Sequence, residues 1–316
     1  MESRQATSMS IIIPTRDRCE TVKELLQSLS KLRGLESIQP EILIGDNNSK
    51  DGTWELLQTE AKQFPVPFYP MKISTPGKSA VLNEAIGVAR GELLAFLDDD
   101  VVVEPGWLES VQRFFLSTSY QVAQGIIRLQ SPEATDSDIL SLLQRYRTVT
   151  NLEYSNGAQE TRSLNGANFA LYRNVFDQIG RFDERLGPGV SGTSEDIELA
   201  HRIRHAGTKI GYMRESIVYH KVERARLTEA YFKLHHRRQG RSRLLFHNPS
   251  IGRILCDLIR VSVQYGFYFL KRNERKKYRS KGRIYHYLEM LSVKCQRQQR
   301  TTIQGTGFTG KNRALL

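Results

Sequence analysis

Strand-like and helix-like segments alternate along the first hundred residues in a pattern that few folds accommodate. Residues 10–13 (SIII) form a β-branched run that stops at Pro14. Val22, Leu25, Leu26, Leu29 and Leu32 then recur at helical spacing across residues 20–32. A second apolar run, EILIG at 41–45, leads into a turn, DNNSKDG at 46–52, which caps a helix carrying Trp54, Leu56, Leu57 and Ala61. Residues 66–73 read as a weaker strand, demoted by its prolines. Residues 78–89 give a third helix, and LLAFL at 93–97 a third apolar strand. Strands that are apolar at every position are buried on both faces, which predicts an α/β fold with a mostly parallel sheet flanked by helices.

Beyond Asp100 the pattern loosens. Helices are predicted over 106–116, 139–152, 173–179 and 195–205, and strands over 122–129 and 167–172. Two further strand-like pieces lie at 209–213 and 216–220, and residues 131–138 read as polar and irregular. No internal repeat and no Gly/Ser linker interrupts the first 220 residues, so they read as one domain.

The 316 residues hold an ordinary globular balance, 39% hydrophobic and 25% charged, which excludes collagen-like, low-complexity and wholly disordered chains. The net charge of +12 conceals an asymmetry. Residues 1–220 carry 23 basic and 29 acidic side chains, whereas residues 221–316 carry 23 and 5. An acidic body with a strongly basic tail points the tail toward an anionic partner. In the tail, Arg253, Asp257, Arg260 and Gln264 form one polar stripe on the otherwise apolar stretch 251–270. That stripe argues against a spanning helix and for an amphipathic one, lying on a membrane or packed against protein. Residues 271–281 follow with seven Lys and Arg and one Glu. Cys19, Cys256 and Cys295 are few, dispersed and without a CxxC pair, and MESRQATSMS lacks the apolar core of a secretory signal. Reduced thiols and a cytoplasmic setting are the expectation, with no cysteine zinc site.

Candidate chemistry gathers at strand ends. Asp98-Asp99-Asp100 follows the apolar run 93–97 directly, and ligands of open α/β sheets bind outside the carboxyl ends of strands. The triplet is either a solvated acidic turn or a seat for a hard divalent cation, Mg²⁺ or Mn²⁺, with Asp98 and Asp100 spaced to share it. Asp46 ends another buried strand, as an Asx turn or as a ligand group on the same edge. Ser194-Glu195-Asp196 opens a helix after the glycine-rich loop 187–194. A capping box with Ser194 as the cap explains its acids but not the glycines before them. His220, at the end of a strand-like piece, is either a satisfied structural histidine or a ligand.

Five stretches together resemble family 2 glycosyltransferases of the GT-A fold: SIIIPTRDR, LIGDNNSKDGT, GKSAVLNEAIGVARGELLAFLDDDVVVEPGWL, LNGANFALYRNVFDQIGRFDERLG and GTSEDIELAHRIRHAGTKIGYMRESIVYHK. The resemblance covers residues 9–221. The basic tail, which it does not cover, reads as a helical C-terminal extension, so the expected division is a disordered N-terminus (1–8), a GT-A domain (9–225), a helical basic extension (226–300) and a flexible tail (301–316). The resemblance implies a GT-A type, Rossmann-like sheet. It also implies roles for particular residues. Pro14, Thr15 and Arg16 would line the nucleotide pocket, Asp46 would accept a hydrogen bond from the base, and Lys78 would face the diphosphate. Asp98 and Asp100 would be the DxD pair, with Asp98 and Asp99 toward the donor, and Asp98, Asp100 and His220 would hold Mg²⁺ or Mn²⁺. Gly166, Ala167 and Asn168 would border the donor sugar, Asp196 would be the catalytic base, and Glu195 would orient donor or acceptor. The second stretch departs from the pattern, reading Gly45-Asp46-Asn47 where many members have two acids.

The implied reaction is an inverting, metal-dependent sugar transfer from a nucleotide-diphosphate sugar to a hydroxyl of a glycan or lipid-linked acceptor. The expected setting is cytoplasmic, peripheral on the inner face of a membrane reached through 251–300, with no nucleic-acid partner. Three other readings compete. A haloacid-dehalogenase-like phosphatase would use Asp98 as nucleophile, but its motif belongs on the first strand of the domain. A nucleotidylyltransferase would need a glycine-rich phosphate loop after the first strand, where PTRDR has none. A non-enzymatic membrane- or nucleic-acid-binding protein acting through the basic tail leaves the acidic body without a role.

Overall fold

The computed structural model describes residues 8–130, 136–148, 152–153 and 157–306, with side chains through residue 297. Over these residues the chain divides into two compact units, one within Met1–Ser141 and Val149–Arg224, the other within Leu142–Thr148 and Ala225–Leu316.

The first unit opens with β1 (Met9–Thr15), α1 (Cys19–Leu29), α2 (Leu35–Ile38), β2 (Glu41–Asp46) and α3 (Thr53–Glu60). There follow β3 (Phe68–Lys72), α4 (Lys78–Val88), β4 (Leu93–Phe96), β5 (Val101–Val103), α5 (Trp107–Ser117) and β6 (Val122–Leu129). After α6 (Ser137–Tyr146), which runs into the second unit, come β7 (Glu160–Thr161), β8 (Phe169–Tyr172), α7 (Val175–Ile179), α8 (Glu195–His205) and β9 (Ile210–His220). The strands form one sheet in the order β3-β2-β1-β4-β8-β6-β9-β5, with β7 on β9. The block β3-β2-β1-β4 is parallel throughout, β6 and β9 are parallel over eight pairs, and β8 enters antiparallel between β4 and β6. This is the α/β, mostly parallel sheet that the alternating pattern predicts.

The unbroken apolar runs follow from burial on both faces. Ile11 and Ile13 pack with Val22, Leu25, Leu29, Leu57 and Trp107 on one side of the sheet. Ile12 and Leu43 pack with Leu82, Ile86, Phe169, Phe176, Leu199 and Ile203 on the other. Each such side chain taken fully out of water stabilises the fold by roughly 1.5–3 kcal/mol.

The structure corrects several expectations. The pieces 209–213 and 216–220 are one strand, β9, whose register on β6 jumps between Gly125 and Ile126. The polar residues between the pieces bulge, and Asn168 fills the gap that they leave. Its Nδ2 donates to the carbonyls of Ile126 (2.9 Å) and Ser216 (3.0 Å), and its Oδ1 accepts from Trp107 Nε1 (2.9 Å). A Cβ on Gly125 would lie 2.2 Å from Asn168 Nδ2, so only glycine fits beside this amide. The predicted helix over 139–152 ends at Tyr146, and Leu152 instead pairs with Ile127 as an isolated bridge. Part of it, residues 149–151, lies outside the described residues, as do 131–135 of the irregular stretch. Ser194 does not cap α8 through its side chain, because its backbone is left-handed (φ 80°). The α3 cap comes from Asp51, whose carboxylate accepts from Thr53 N (3.1 Å).

A short helical turn (Arg224–Arg226) leads into the second unit, which holds three further helices: α9 (Glu229–Phe246), α10 (Ile251–Leu270) and α11 (Glu274–Thr306). Phe232 packs with Tyr146, Tyr278 and Tyr285, and Leu244, Ile254 and Met290 form a small apolar core. Buried Glu289 of α11 is neutralised by Arg237 (2.7 Å) and Arg241 (2.6 Å) of α9. Among the described residues no helix is long and apolar enough to cross a membrane. Of the predicted disordered N-terminus and flexible tail, residues 1–7 and 307–316 lie outside the described residues, while 301–306 are the last turns of α11.

Asn168→Ala leaves Trp107 Nε1 and two carbonyls without their partner in a dry interior. The expected loss of unfolding free energy is roughly 3 kcal/mol in urea denaturation; a loss below about 1 kcal/mol would show that the amide is not what closes the bulge.

Candidate active site

The strand order turns between β1 and β4, and a doubly wound sheet opens its binding crevice at such a turn. Register places Thr15 of β1 beside Asp46 of β2, and β4 runs parallel on the other side of β1, so the triplet emerges at the same edge. Thr15 Oγ1 donates to Asp99 Oδ2 at 2.7 Å, which ties the middle acid to the sheet.

The two outer acids have different partners. Asp98 Oδ1 lies 2.5 Å from Lys78 Nζ, and the same ammonium lies 3.0 Å from Glu195 Oε1. Lys78 is the first residue of α4 and Glu195 the first of α8, so two helix starts meet at the strand end. Asp100 is buried, and its Oδ1 faces His220 Nε2 at 3.4 Å, because β5 pairs Val101 with His220. His220 Nδ1 lies 2.7 Å from the Lys221 carbonyl oxygen. A carbonyl only accepts, so Nδ1 donates to it, and Nε2 is the ring nitrogen that faces the carboxylate. A carboxylate and an imidazole nitrogen facing one another suit a divalent cation. Among the described residues no three His, Cys, Asp or Glu side chains enclose a metal position by themselves, so a bound phosphate would have to supply further ligands.

Electrostatics set the protonation states. Burial pushes Asp196 up to about 7, helped by Glu195 and opposed by Lys78 and by the N–H groups of Gly166 (3.1 Å) and Ile197 (2.7 Å). Burial likewise pushes Asp99 up to about 7, with Asp100 adding to it and Thr15 and Arg18 opposing. Burial acts to lower Lys78, but Asp98, Glu195 and Asp196 outweigh it and hold the ammonium well above its ordinary value. The lysine is therefore a fixed positive charge.

Pro14, Lys78, Gly166, Glu195 and Asp196 line one cleft floored by Leu82, Phe96, Phe169 and Phe182. A Cβ on Gly166 would stand 2.6 Å from Lys78 Nζ and 3.2 Å from Asp98 Oδ1, so the backbone presses directly on the ion pair. The glycine-rich loop reaches the same place. The Pro188 carbonyl accepts from Lys78 N at 3.0 Å, and left-handed Gly189 (φ 91°) would carry a Cβ only 3.0 Å from Gly77 Cα.

Residues 10–180 match the family model for glycosyl transferase family 2. The chain belongs to this family. It is 25% identical over 216 residues to the glycosyltransferase AglE of Haloferax volcanii, covering 67% of this chain and 66% of that protein. It is 26% identical over 224 residues to the pre-mycofactocin glycosyltransferase of Mycobacterium tuberculosis, covering 67% and 42%. The matches therefore span under two thirds of these relatives. Its fold resembles that of the mannosyltransferase PcManGT from Pyrobaculum calidifontis, solved with GDP-Man and Mn²⁺, at a TM-score of 0.57 and 17% identity over 91% of this chain and 86% of that one. The GT-A fold implied by the sequence motifs is the fold observed.

Within this family 2 chain, not every motif residue reaches the cleft. Ala167 is in the hydrophobic core and Asn168 is spent on the β9 bulge, which leaves Gly166 as the member of its trio at the ion pair. Arg16 is half exposed and pairs with Asp17 (3.4 Å). Arg18, which motif reasoning passed over, lies nearer the triplet: Glu223 holds it at 2.6 Å, and Asp99 and Asp100 both act on its charge. Asp46 is wholly buried and accepts from Ser49 N (3.2 Å) and Ser49 Oγ, the Asx-turn arrangement. Asn47, the departure from the two-acid pattern, donates to the carbonyls of Ile73 (3.0 Å) and Thr75 (2.8 Å) and accepts from Gly77 N (2.9 Å). An acid there would face two carbonyl oxygens, so the amide is what anchors the loop that delivers Lys78.

Gly166→Ala is expected to displace the ammonium and weaken binding of a nucleoside diphosphate at least about tenfold, with a thermal midpoint within about 5 °C of wild type. Unchanged binding in calorimetry would show that the contact between Gly166 and Lys78 is irrelevant to the ligand.

Proposed function

We propose that this protein transfers a sugar from a nucleoside-diphosphate sugar to a hydroxyl of a glycan or lipid-linked acceptor, with inversion at the anomeric carbon. The reading rests above all on one juxtaposition: the carboxylate of Asp196, the ammonium of Lys78, itself paired with Asp98, and the backbone of Gly166 share a cleft at the turn of the sheet. PcManGT, of the same fold, was solved with a nucleotide sugar and Mn²⁺, which supports both the donor class and the cation.

In this reading Pro14, Thr15 and Arg18 border the nucleotide, and Asp46 shapes the base pocket through its turn. Arg16, at the rim, meets the nucleotide from solvent. Lys78 lies beside the diphosphate. Asp98, Asp100 and His220 would hold the divalent ion, and the imidazole donor favours Mn²⁺ over Mg²⁺. Bound there, the ion would neutralise charge growing on the leaving diphosphate. Asp196 accepts the proton of the acceptor hydroxyl as its oxygen bonds to the anomeric carbon. The bond to the diphosphate breaks with its electron pair leaving on the phosphate oxygen. Glu195, held by Lys78, orients the reactants. One base on the face opposite the leaving group gives a single displacement, hence inversion. Residues 251–300 bring the enzyme to the inner, cytoplasmic face of an anionic membrane, and no nucleic acid is involved.

The base must be unprotonated to act. With Asp196 pushed up to about 7, kcat/KM should fall close to tenfold per pH unit below that point. Asp196→Asn is expected to lower transfer by at least about 10³-fold, in line with loss of a general base, while donor affinity stays within about threefold. Retained transfer with the acid limb unchanged would move the base to another residue.

A further inference from the structure

The polar stripe of α10 hides a second, apolar surface. Ile254 and Val261 are fully buried, and Ile254 joins the small core with Leu244 and Met290. Asp257 is neutralised on its own helix by Arg253 (3.3 Å) and Arg260 (2.6 Å). Beyond this stripe lie Leu255, Ile259, Val263, Phe267 and Leu270, at i, i+4, i+8, i+12 and i+15, on one exposed face. Ile259 is 65% exposed, Val263 68% and Leu270 81%. With Phe269, this helix carries six of the twelve large hydrophobic side chains exposed among the described residues. A concentration of that kind on one helix marks a docking face rather than ordinary surface scatter.

Charge identifies the occupant. Lys271 Nζ lies 5.9 Å from the centre of the Phe267 ring, Lys277 Nζ 5.7 Å from that of Phe269 and Lys276 Nζ 5.4 Å from that of Tyr268, so ammonium groups stand over the end of the stripe. Arg253 and Arg260 run along its edge with exposed guanidinium groups. Long cationic side chains beside an apolar face suit an anionic lipid surface, with stems on the acyl boundary and charges among headgroups. A second copy packed on the same face would bring two basic clusters together, which repulsion opposes.

We propose that α10 lies in the plane of an anionic membrane, with Leu255, Ile259, Val263, Phe267 and Leu270 immersed and Arg253, Arg260 and Lys271 at the headgroups. This deepens the membrane part of the proposed function and is independent of its catalytic part.

The test is flotation of the full-length protein with phosphatidylcholine vesicles that contain or lack phosphatidylglycerol. Wild type should float with the phosphatidylglycerol vesicles alone. A triple variant, Ile259→Ser with Val263→Ser and Phe267→Ser, should bind them at least about tenfold more weakly, at an unchanged thermal midpoint. Triple-variant binding equal to wild type would overturn the assignment to α10 while leaving the membrane reading standing. Wild type that fails to float with phosphatidylglycerol vesicles would sink the membrane reading itself, and equal flotation with both vesicles would overturn the role of the cations. A wild-type dimer that the triple variant abolishes, with vesicle binding unaltered, would give the face to a second copy.

Discussion

One ammonium group organises the site. Lys78 stands between Asp98 and Glu195, residues about a hundred positions apart that are brought together only when the fourth strand and the eighth helix are both in place. Without that cation, Asp98, Glu195 and the neighbouring Asp196 would face one another as a cluster of partly buried acids, an arrangement that raises carboxyl pKa values and costs stability. With it, Asp98 and Glu195 have a cation in direct contact, while burial and Glu195 still hold Asp196 up near 7 against the pull of Lys78. The same balance leaves acids in excess over cations around the triplet, which suits a divalent ion arriving with its phosphates.

The ammonium depends in turn on loops rather than on the sheet. Asn47 ties the segment before Lys78 to the end of β2, and the Pro188 carbonyl receives the Lys78 backbone N–H from the glycine-rich loop. Gly166 gives the ammonium its room. A network that draws on four separate stretches of chain is rigid only when all four are correctly placed, which explains why single glycines and one amide carry so much of the architecture.

Much of this was legible in the sequence. The runs SIII and LLAFL read as doubly buried strands because Ile11 and Ile13 serve one core and Ile12 the other. The motifs led to Lys78, the triplet, Gly166, Glu195 and Asp196, and the fold brings all of these to one edge. What failed to show was non-local. The polar break between 213 and 217 looks like the end of a strand, and only Asn168, fifty residues away, turns it into a bulge. Apolar spacing continues past Tyr146, yet Leu152 is claimed by Ile127 instead. Arg16 and Arg18 are alike in sequence, and what separates them is Glu223, two hundred residues on. The stretch 251–270 reads in sequence as a helix lying on a membrane or packed on protein, and the structure leaves Leu255, Ile259, Val263, Phe267 and Leu270 of it exposed.

The central claim is that a divalent ion at the outer acids grips the diphosphate of the donor. Calorimetric titration of a nucleoside diphosphate, with Mn²⁺ and then with a chelator, tests it most directly. Affinity should be at least about tenfold higher with Mn²⁺ in the wild type, and Asp100→Ala should abolish that gain while leaving the metal-free affinity unchanged. Equal affinities with and without the ion, or a gain that survives Asp100→Ala, would contradict the account.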